Sequence, residues 1–108
     1  MAYTKDEAIE LTKSFLRKAF QRHPIISAYL FGSYVKGIQN EYSDIDIAVI
    51  SEDFGKDKTK EEMFLFRLGS CIDPRLEPIP LTPRALQEDT WVPLIYEIKT
   101  KGMEIPIK

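Results

Sequence analysis

The chain has 108 residues, enough for one hydrophobic core but too few for a catalytic domain plus a separate substrate-binding domain. We therefore expect a single domain over residues 1–108, with any second substrate held by another chain. A formal charge of −2 and a pI near 5.4 disfavour a protein that clamps nucleic acid with a broad basic surface.

The first predicted element is a helix from about Thr4 to Arg22. Thr4 and Glu7 form a capping-box pattern, and Pro24 stops the helix. Apolar side chains recur at helical spacing at Ala8, Leu11, Phe15 and Ala19. This spacing predicts an amphipathic helix.

A short apolar run from Ile25 to Phe31 follows, and it predicts a first, buried strand. After it, Ser33 opens one helical turn that Gly37 ends. The turn formed by Gly32 and Ser33 allows close approach of a ligand to the backbone. It also offers N–H groups and a hydroxyl to phosphate oxygens, so it is a candidate phosphate site.

The second strand is predicted from Ser43 to Ile50. Its apolar face carries Ile45, Ile47 and Val49. Asp44 and Asp46 lie one residue apart and point to the opposite face of this strand. A polar start to an otherwise apolar strand indicates a functional site at that end.

The rest of the chain contributes a loop, two helices and two strands. The charged stretch from Ser51 to Lys58 predicts a mobile loop, and Thr59 is expected to cap a helix that runs to about Cys71. The remaining predicted elements are a strand at Arg75 to Leu81, a helix at about Trp91 to Lys99 that Gly102 follows, and a short strand at Glu104 to Ile107.

Two prolines place the third strand in the sheet. Pro78 and Pro80 lack N–H groups on the same side of that strand, so it should lie at a sheet edge. The order of elements predicts an α/β fold, a small mixed sheet of three or four strands with helices packed on it. If strands one and two pair antiparallel and the third is parallel to the second, Gly32 and Ser33, Asp44 and Asp46, and Glu77 meet at one edge.

Three converging carboxylates suit phosphoryl or nucleotidyl transfer. Asp44 and Asp46 can bridge two Mg²⁺ ions about 3.5–4 Å apart, and Glu77 can complete the shell of one ion or accept a proton from the attacking hydroxyl. Ser33 would hold the β and γ phosphates, and Lys36 would neutralise their charge. Asp73 or Glu88 could replace Glu77 as the third group, or the site could lack a third carboxylate, and Ser33 could also serve only as a helix cap.

The segments 32–37 (Gly-Ser-Tyr-Val-Lys-Gly) and 43–47 (Ser-Asp-Ile-Asp-Ile) resemble the signature of the minimal nucleotidyltransferases of the DNA polymerase beta superfamily. Segments 76–78 and 93–98 and the pair at 101–102 are also similar to the pattern of that family. The resemblance implies the nucleotidyltransferase fold, with Asp44, Asp46 and Glu77 as catalytic and metal-binding residues. It also implies Mg²⁺ with ATP as substrate, bound by Gly32, Ser33, Lys36 and Ser43.

The same resemblance implies a partner. Small proteins of this kind are often antitoxins that move AMP onto a tyrosine of a helical HEPN ribonuclease toxin, with pyrophosphate leaving. The resemblance therefore predicts a protein adenylyltransferase. The alternative is a non-catalytic binding module that neutralises its partner by forming a complex and keeps a vestigial nucleotide site.

Other classes fit the sequence less well. Transfer to a small molecule or to RNA is disfavoured, because the chain lacks a second domain and a basic channel. One cysteine, Cys71, excludes an internal disulfide, and no apolar run approaches the ~20 residues of a membrane span. We expect a cytoplasmic protein without a membrane partner, with an oligomer contact at exposed apolar groups of the last helix such as Trp91 and Ile95.

Overall fold

The computed structural model describes residues 2–107. The elements are α1 (Lys5–Phe20), β1 (Ser27–Phe31), α2 (Ser33–Lys36), β2 (Ile45–Ile50), α3 (Lys58–Ser70), β3 (Leu76–Leu81), α4 (Pro83–Glu88), α5 (Pro93–Lys101) and β4 (Met103–Glu104). Helices and strands alternate from α1 to β3, and two consecutive helices then precede the last strand, an order that matches the α/β prediction.

The four strands form one mixed sheet in the order β3-β2-β1-β4. β1 pairs antiparallel with β2 and with β4, whereas β2 pairs parallel with β3. The predicted edge position of β3 is confirmed. The carbonyls of Arg75 and Leu81 accept hydrogen bonds from N–H groups at the two ends of β2, so the odd-numbered residues of β3 face β2. Pro78 and Pro80 are even-numbered, so the positions that lack N–H groups face away from the sheet.

β2 is covered on both faces. Ile45, Ile47 and Val49 pack into a core that includes Phe15 of α1 and Leu65 of α3, which confirms the predicted apolar face. On the opposite face, Ala48 and Ile50 pack with Phe31 and with Ile98 of α5. Asp46 lies on this second face near the start of β2, where its side chain is partly exposed to solvent.

The predicted capping box at the start of α1 is confirmed. The Glu7 N–H donates to Thr4 Oγ1 at 3.1 Å, and the Thr4 N–H donates to Glu7 Oε1 at 2.8 Å. The helix ends at Phe20 rather than at Arg22. The chain turns before Pro24, and the His23 N–H closes that turn on the Ala19 carbonyl.

The prediction that Thr59 caps the next helix is wrong. Asp57 is the N-cap of α3, and its side chain accepts the Lys60 N–H at 3.2 Å. The segment before α3 is also held more firmly than the predicted mobile loop, since Phe54 is buried in the core. The Glu61 carboxylate accepts three N–H groups from this segment, those of Gly55, Lys56 and Asp57.

The C-terminal third differs from the prediction in detail. α4 was not predicted, although Thr82 caps it and Pro83 occupies its first position, which is a recognisable start signal. α5 begins at Pro93 instead of Trp91 and ends at Lys101, and β4 is Met103–Glu104 rather than 104–107. Ile95 is buried and cannot form the predicted contact, whereas Trp91 is 80% exposed.

No helix within residues 2–107 combines the length and the apolar character that a membrane span requires.

Candidate active site

The sheet register brings the predicted functional positions into one row. Phe31, the last residue of β1, pairs with Asp46, and Asp46 pairs with Glu77 of β3. Gly32 follows Phe31 directly, so the glycine turn lies on one flank of Asp46 and Glu77 lies on the other. Neighbouring strands are about 4.8 Å apart, so this row is narrow enough for its groups to act on one ligand.

Gly32 is required by this packing. Its φ of 79° and ψ of −148° are unfavourable for residues with a side chain. A Cβ atom on Gly32 would overlap Oδ2 of Asp46. The sequence predicts that a ligand can approach the backbone of this turn closely. In the structure, the carboxylate of Asp46 is the group that lies against the Gly32 backbone.

The short helix α2 extends the glycine turn. The N–H groups of Val35 and Lys36 donate to the Gly32 carbonyl at 3.2 and 3.1 Å. The N–H groups of Ser33 and Tyr34 precede these first bonds of the turn, as expected at a helix start. Gly32 is the N-cap of α2, and no side-chain hydrogen bond caps this helix. The alternative role of Ser33 as a helix cap is therefore not observed.

The carboxyl groups of Asp46 and Glu77 lie where a negative charge is unfavourable. Burial raises the pKa of Asp46 to about 6, and the charges of Asp44 and Glu97 act in the same direction, against Lys36. A hydrogen bond with the Asp44 carboxyl raises the pKa of Glu77, and burial and the charges of Asp44 and Asp46 add to that shift. Asp44, Asp46 and Glu77 therefore do act on one another, as their positions in the sequence predict.

The fit of a divalent cation rests on this donor set. Within residues 2–107, no three histidine, cysteine, aspartate or glutamate side chains already stand in a metal-binding arrangement. Asp44 and Glu77 instead interact closely enough for Asp44 to raise the pKa of Glu77. Carboxylate oxygens are the ligands that Mg²⁺ prefers, and a bound cation would also offset the repulsion between the negative charges around Asp46. The three carboxylates fit Mg²⁺, and their role as its ligands stays a prediction.

The two alternative third carboxylates are engaged elsewhere. Asp73 accepts hydrogen bonds from the Tyr3 hydroxyl and from the Arg75 N–H. Glu88 is paired with Arg84 on the exposed face of α4, at 3.1 Å. Glu77 is therefore the group that the fold brings to Asp46.

Lys36 has a partner that the sequence did not indicate. Its Nζ lies 3.5 Å from Oε2 of Glu97, on α5. Glu97 also acts on the pKa of Asp46, so it belongs to the electrostatic surroundings of the site. No local pattern could have assigned it, because its position depends on how α5 packs against the sheet.

Ser43 shapes the turn that precedes the first aspartate. Its Oγ accepts the Asn40 N–H at 2.9 Å, and the Asn40 side chain accepts the Tyr42 N–H at 2.8 Å. These bonds close the connection between α2 and β2 just before Asp44. The structure thus shows a positioning role for Ser43, and its predicted contact with the nucleotide stays a prediction.

Comparison with known proteins gives a consistent picture. The family model of the nucleotidyltransferase domain matches residues 12–99. A Methanocaldococcus jannaschii protein, provisionally named a protein adenylyltransferase, is 35% identical over 96 residues, which cover 80% of this chain and 63% of that protein. A Haemophilus influenzae protein, provisionally named protein adenylyltransferase MntA, is 38% identical over 61 residues, covering 53% of this chain and 51% of its own length. The chain thus spans between half and two thirds of these relatives.

Solved structures share the fold. A Sulfolobus solfataricus protein provisionally named a nucleotidyltransferase superposes with a TM-score of 0.64 at 19% identity, covering 93% of this chain and 80% of that one. A toxin-antitoxin structure with AMP-PNP has a TM-score of 0.62 at 26% identity, covering 89% and 73% of the two chains. A mutant of the toxin-antitoxin MntA-HpeT has a TM-score of 0.60 at 23% identity, covering 98% and 75%.

Proposed function

The chain belongs to the nucleotidyltransferase domain family, and from that premise we propose that it moves AMP from ATP onto a protein. The proposed acceptor is a tyrosine hydroxyl of a HEPN-type ribonuclease toxin, and the chain acts as the antitoxin. The observation that carries the proposal is the register that sets Gly32, Asp46 and Glu77 side by side. The names of the two relatives and the toxin-antitoxin structure with AMP-PNP support it.

The reaction is a displacement at the α-phosphorus of ATP. The acceptor hydroxyl oxygen forms a bond to that phosphorus, the bond to the oxygen that bridges to the β-phosphate breaks, and pyrophosphate leaves with the electron pair. The hydroxyl proton passes to a carboxylate, for which Glu77 lies on the open flank of the row. When bound by Asp44, Asp46 and Glu77, Mg²⁺ supplies charge neutralisation at the phosphates and a more acidic attacking hydroxyl.

The chain positions the leaving phosphates on the other flank. The Ser33 hydroxyl and the N–H groups at the start of α2 are the donors for β and γ oxygens. Lys36 is 46% exposed in its side chain, so it can leave the ion pair with Glu97 and meet a phosphate. We therefore assign the pyrophosphate side of the reaction to the glycine turn and the acceptor side to β3.

A second candidate function is favoured by one contact. The ion pair between Lys36 and Glu97 occupies a lysine that binding of the phosphates would use. A chain that only binds and blocks its partner would keep this contact. This binding module is the alternative against which the enzyme must be tested.

Intact-mass spectrometry separates the two functions. The chain is mixed with ATP, Mg²⁺ and a cognate HEPN-type protein, and the partner should gain the mass of one or more AMP groups. The double variant Asp44→Asn, Asp46→Asn should abolish the gain, whereas Asp6→Asn on α1 serves as a matched exposed control. A stable complex without any mass gain would refute the transferase and support the binding module.

A further inference from the structure

A groove of about 330 Å³ opens beside the carboxylates on the β3 side. Its floor is the outer edge of β3, at Pro78 and Ile79, and Asp46 and Glu77 lie at its inner end. Its other wall is formed by α3, which contributes Glu62, Met63 and Phe66. The groove is thus continuous with the proposed reaction site.

The groove exposes apolar side chains that the fold does not need. Phe66 is 56% exposed and Met63 is 47% exposed, although both lie on a helix whose inner face is packed in the core. A second cavity of about 150 Å³ shares Glu62 and Ile79 with the first and continues along β3 to Leu94, which is 44% exposed. A row of exposed apolar groups next to reactive carboxylates is typical of a binding surface.

The groove lies on the flank opposite the phosphate turn. Gly32 and Ser33 follow β1, whereas the groove lies along β3, and β2 with Asp46 separates the two. Among the described residues that line the larger cavity, Glu62 is the charged residue outside the proposed metal ligands, and none is basic. The smaller cavity adds Lys58 at its far side. Beyond Asp46 and Glu77 the wall of the larger cavity is mainly apolar, so it offers phosphate oxygens no basic partner and suits the acceptor better than the nucleotide.

We propose that this groove docks the acceptor segment of the partner protein, with an apolar or aromatic side chain between Met63 and Phe66 and a basic side chain near Glu62. The proposal rests on the proposed function and assigns its acceptor side. The chemistry of the lining supports this occupant, because Met63 and Phe66 offer an exposed apolar wall and Glu62 offers a negative charge to a basic side chain, outside the proposed metal ligands Asp46 and Glu77. An acceptor hydroxyl on the same segment then lies within reach of Glu77.

The mode of docking follows from the two prolines. A peptide that added a strand to β3 would need N–H groups on its outer edge, and Pro78 and Pro80 have none. The segment must therefore bind through its side chains. This makes the apolar wall on α3 the main source of affinity.

The test compares phenylalanines of matched exposure. Phe66→Ser should raise the KM for the HEPN-type protein by about tenfold or more, the effect of losing one central apolar anchor, and leave the Kd for ATP unchanged. Phe20→Ser on α1, where Phe20 is 50% exposed, should behave like the unmodified chain. Met63→Ser should repeat the effect of Phe66→Ser, and melting temperatures verify that each variant is folded.

A charge reversal tests the second feature. Glu62→Lys should weaken transfer more strongly at low salt than at high salt, whereas Glu10→Lys on α1 should not. Transfer by Phe66→Ser and Met63→Ser at the unmodified rate would overturn the proposal. So would an equal loss of ATP affinity, which would place the nucleotide in the groove.

Failure of the docking proposal and failure of the proposed function give different results. If the unmodified chain transfers no AMP, the transferase is refuted. The affinity of the HEPN-type protein for the chain without ATP then still tests the groove. Equal affinity of the unmodified chain and Phe66→Ser would overturn docking at this surface, and weaker binding by Phe66→Ser would support it.

Discussion

Gly32 and Gly37 show how one residue type can serve two purposes. Both have positive φ angles, 79° and 75°, at the two ends of α2. A Cβ on Gly32 would overlap Asp46, whereas a Cβ on Gly37 would meet nothing within 4 Å. The sequence predicted a glycine turn, but only the packing distinguishes a required absence of side chain from a backbone preference.

This difference predicts unequal effects of alanine. Gly37→Ala should lower the free energy of unfolding by about 1 kcal/mol, the cost of a side chain at positive φ. Gly32→Ala should cost about 2–4 kcal/mol, because its φ of 79° and ψ of −148° are less favourable for a side chain than the left-handed conformation of Gly37, and because the Cβ would overlap Asp46. Urea denaturation of both variants measures the two values, and equal losses would contradict the contact between Gly32 and Asp46.

The raised pKa of Asp46 predicts that the free energy of unfolding depends on pH. Its pKa is raised from the ordinary 3.8 to about 6 by burial, with the charges of Asp44 and Glu97 adding to the effect. The folded state thus binds the proton more tightly than the unfolded state. The stabilising contribution is complete below about pH 4 and is lost as the pH rises through 6.

Asp46→Asn should therefore stabilise the chain in the presence of EDTA, increasingly so from pH 4.5 to pH 7.5. Thermal melts of this variant, the unmodified chain and the control Asp6→Asn across that range provide the measurement. If the advantage of Asp46→Asn were constant with pH, the raised pKa of Asp46 would be wrong.

At the scale of elements, Glu61 connects α3 to the loop before it. Its carboxylate accepts the N–H groups of Gly55, Lys56 and Asp57 at 2.8, 3.1 and 3.1 Å. Burial opposes the charge of Glu61, but these bonds outweigh it and lower the pKa of the carboxylate. The contribution of Glu61 to stability is therefore present near neutral pH and declines as the pH falls through its folded-state pKa.

Glu61→Gln should reduce the free energy of unfolding by about 1–3 kcal/mol, since an amide oxygen replaces a charged acceptor and its NH₂ group faces N–H donors. Glu62→Gln, the next residue of α3 and an exposed one, is the control and should have little effect on stability. Urea denaturation at pH 7 measures both. A Glu61→Gln variant as stable as the control would show that Glu61 does not hold the loop.

At the scale of the whole molecule, ligand binding and folding are linked. Mg²⁺ with AMP-PNP should raise the melting temperature of the chain, because a ligand that binds only the folded state stabilises it by about 1.4 kcal/mol at ten times its Kd. The double variant Asp44→Asn, Asp46→Asn should show no such rise. Thermal melts with and without the ligand test this, and an equal rise in the double variant would remove the acidic row from the nucleotide site.

The amino-acid sequence alone determined the periodic and local features. Alternation placed Asp46 near the start of a buried strand, the capping box started α1, and two prolines placed β3 at an edge. Asp44, predicted to lie within that strand, instead directly precedes it, because β2 begins at Ile45. Each of these features depends on backbone geometry within a few residues, which a sequence displays directly.

Only the tertiary structure decided the pairings between distant elements. It placed Glu97 of α5 beside Lys36, brought Asp44 close enough to Glu77 to raise the pKa of Glu77, and left Phe66 exposed along the groove. These contacts depend on the packing of helices against the sheet, which no local pattern encodes. The sequence therefore indicated which groups carry the chemistry, and the fold decided which of them meet, because contact between residues far apart in the chain is a property of the packed core.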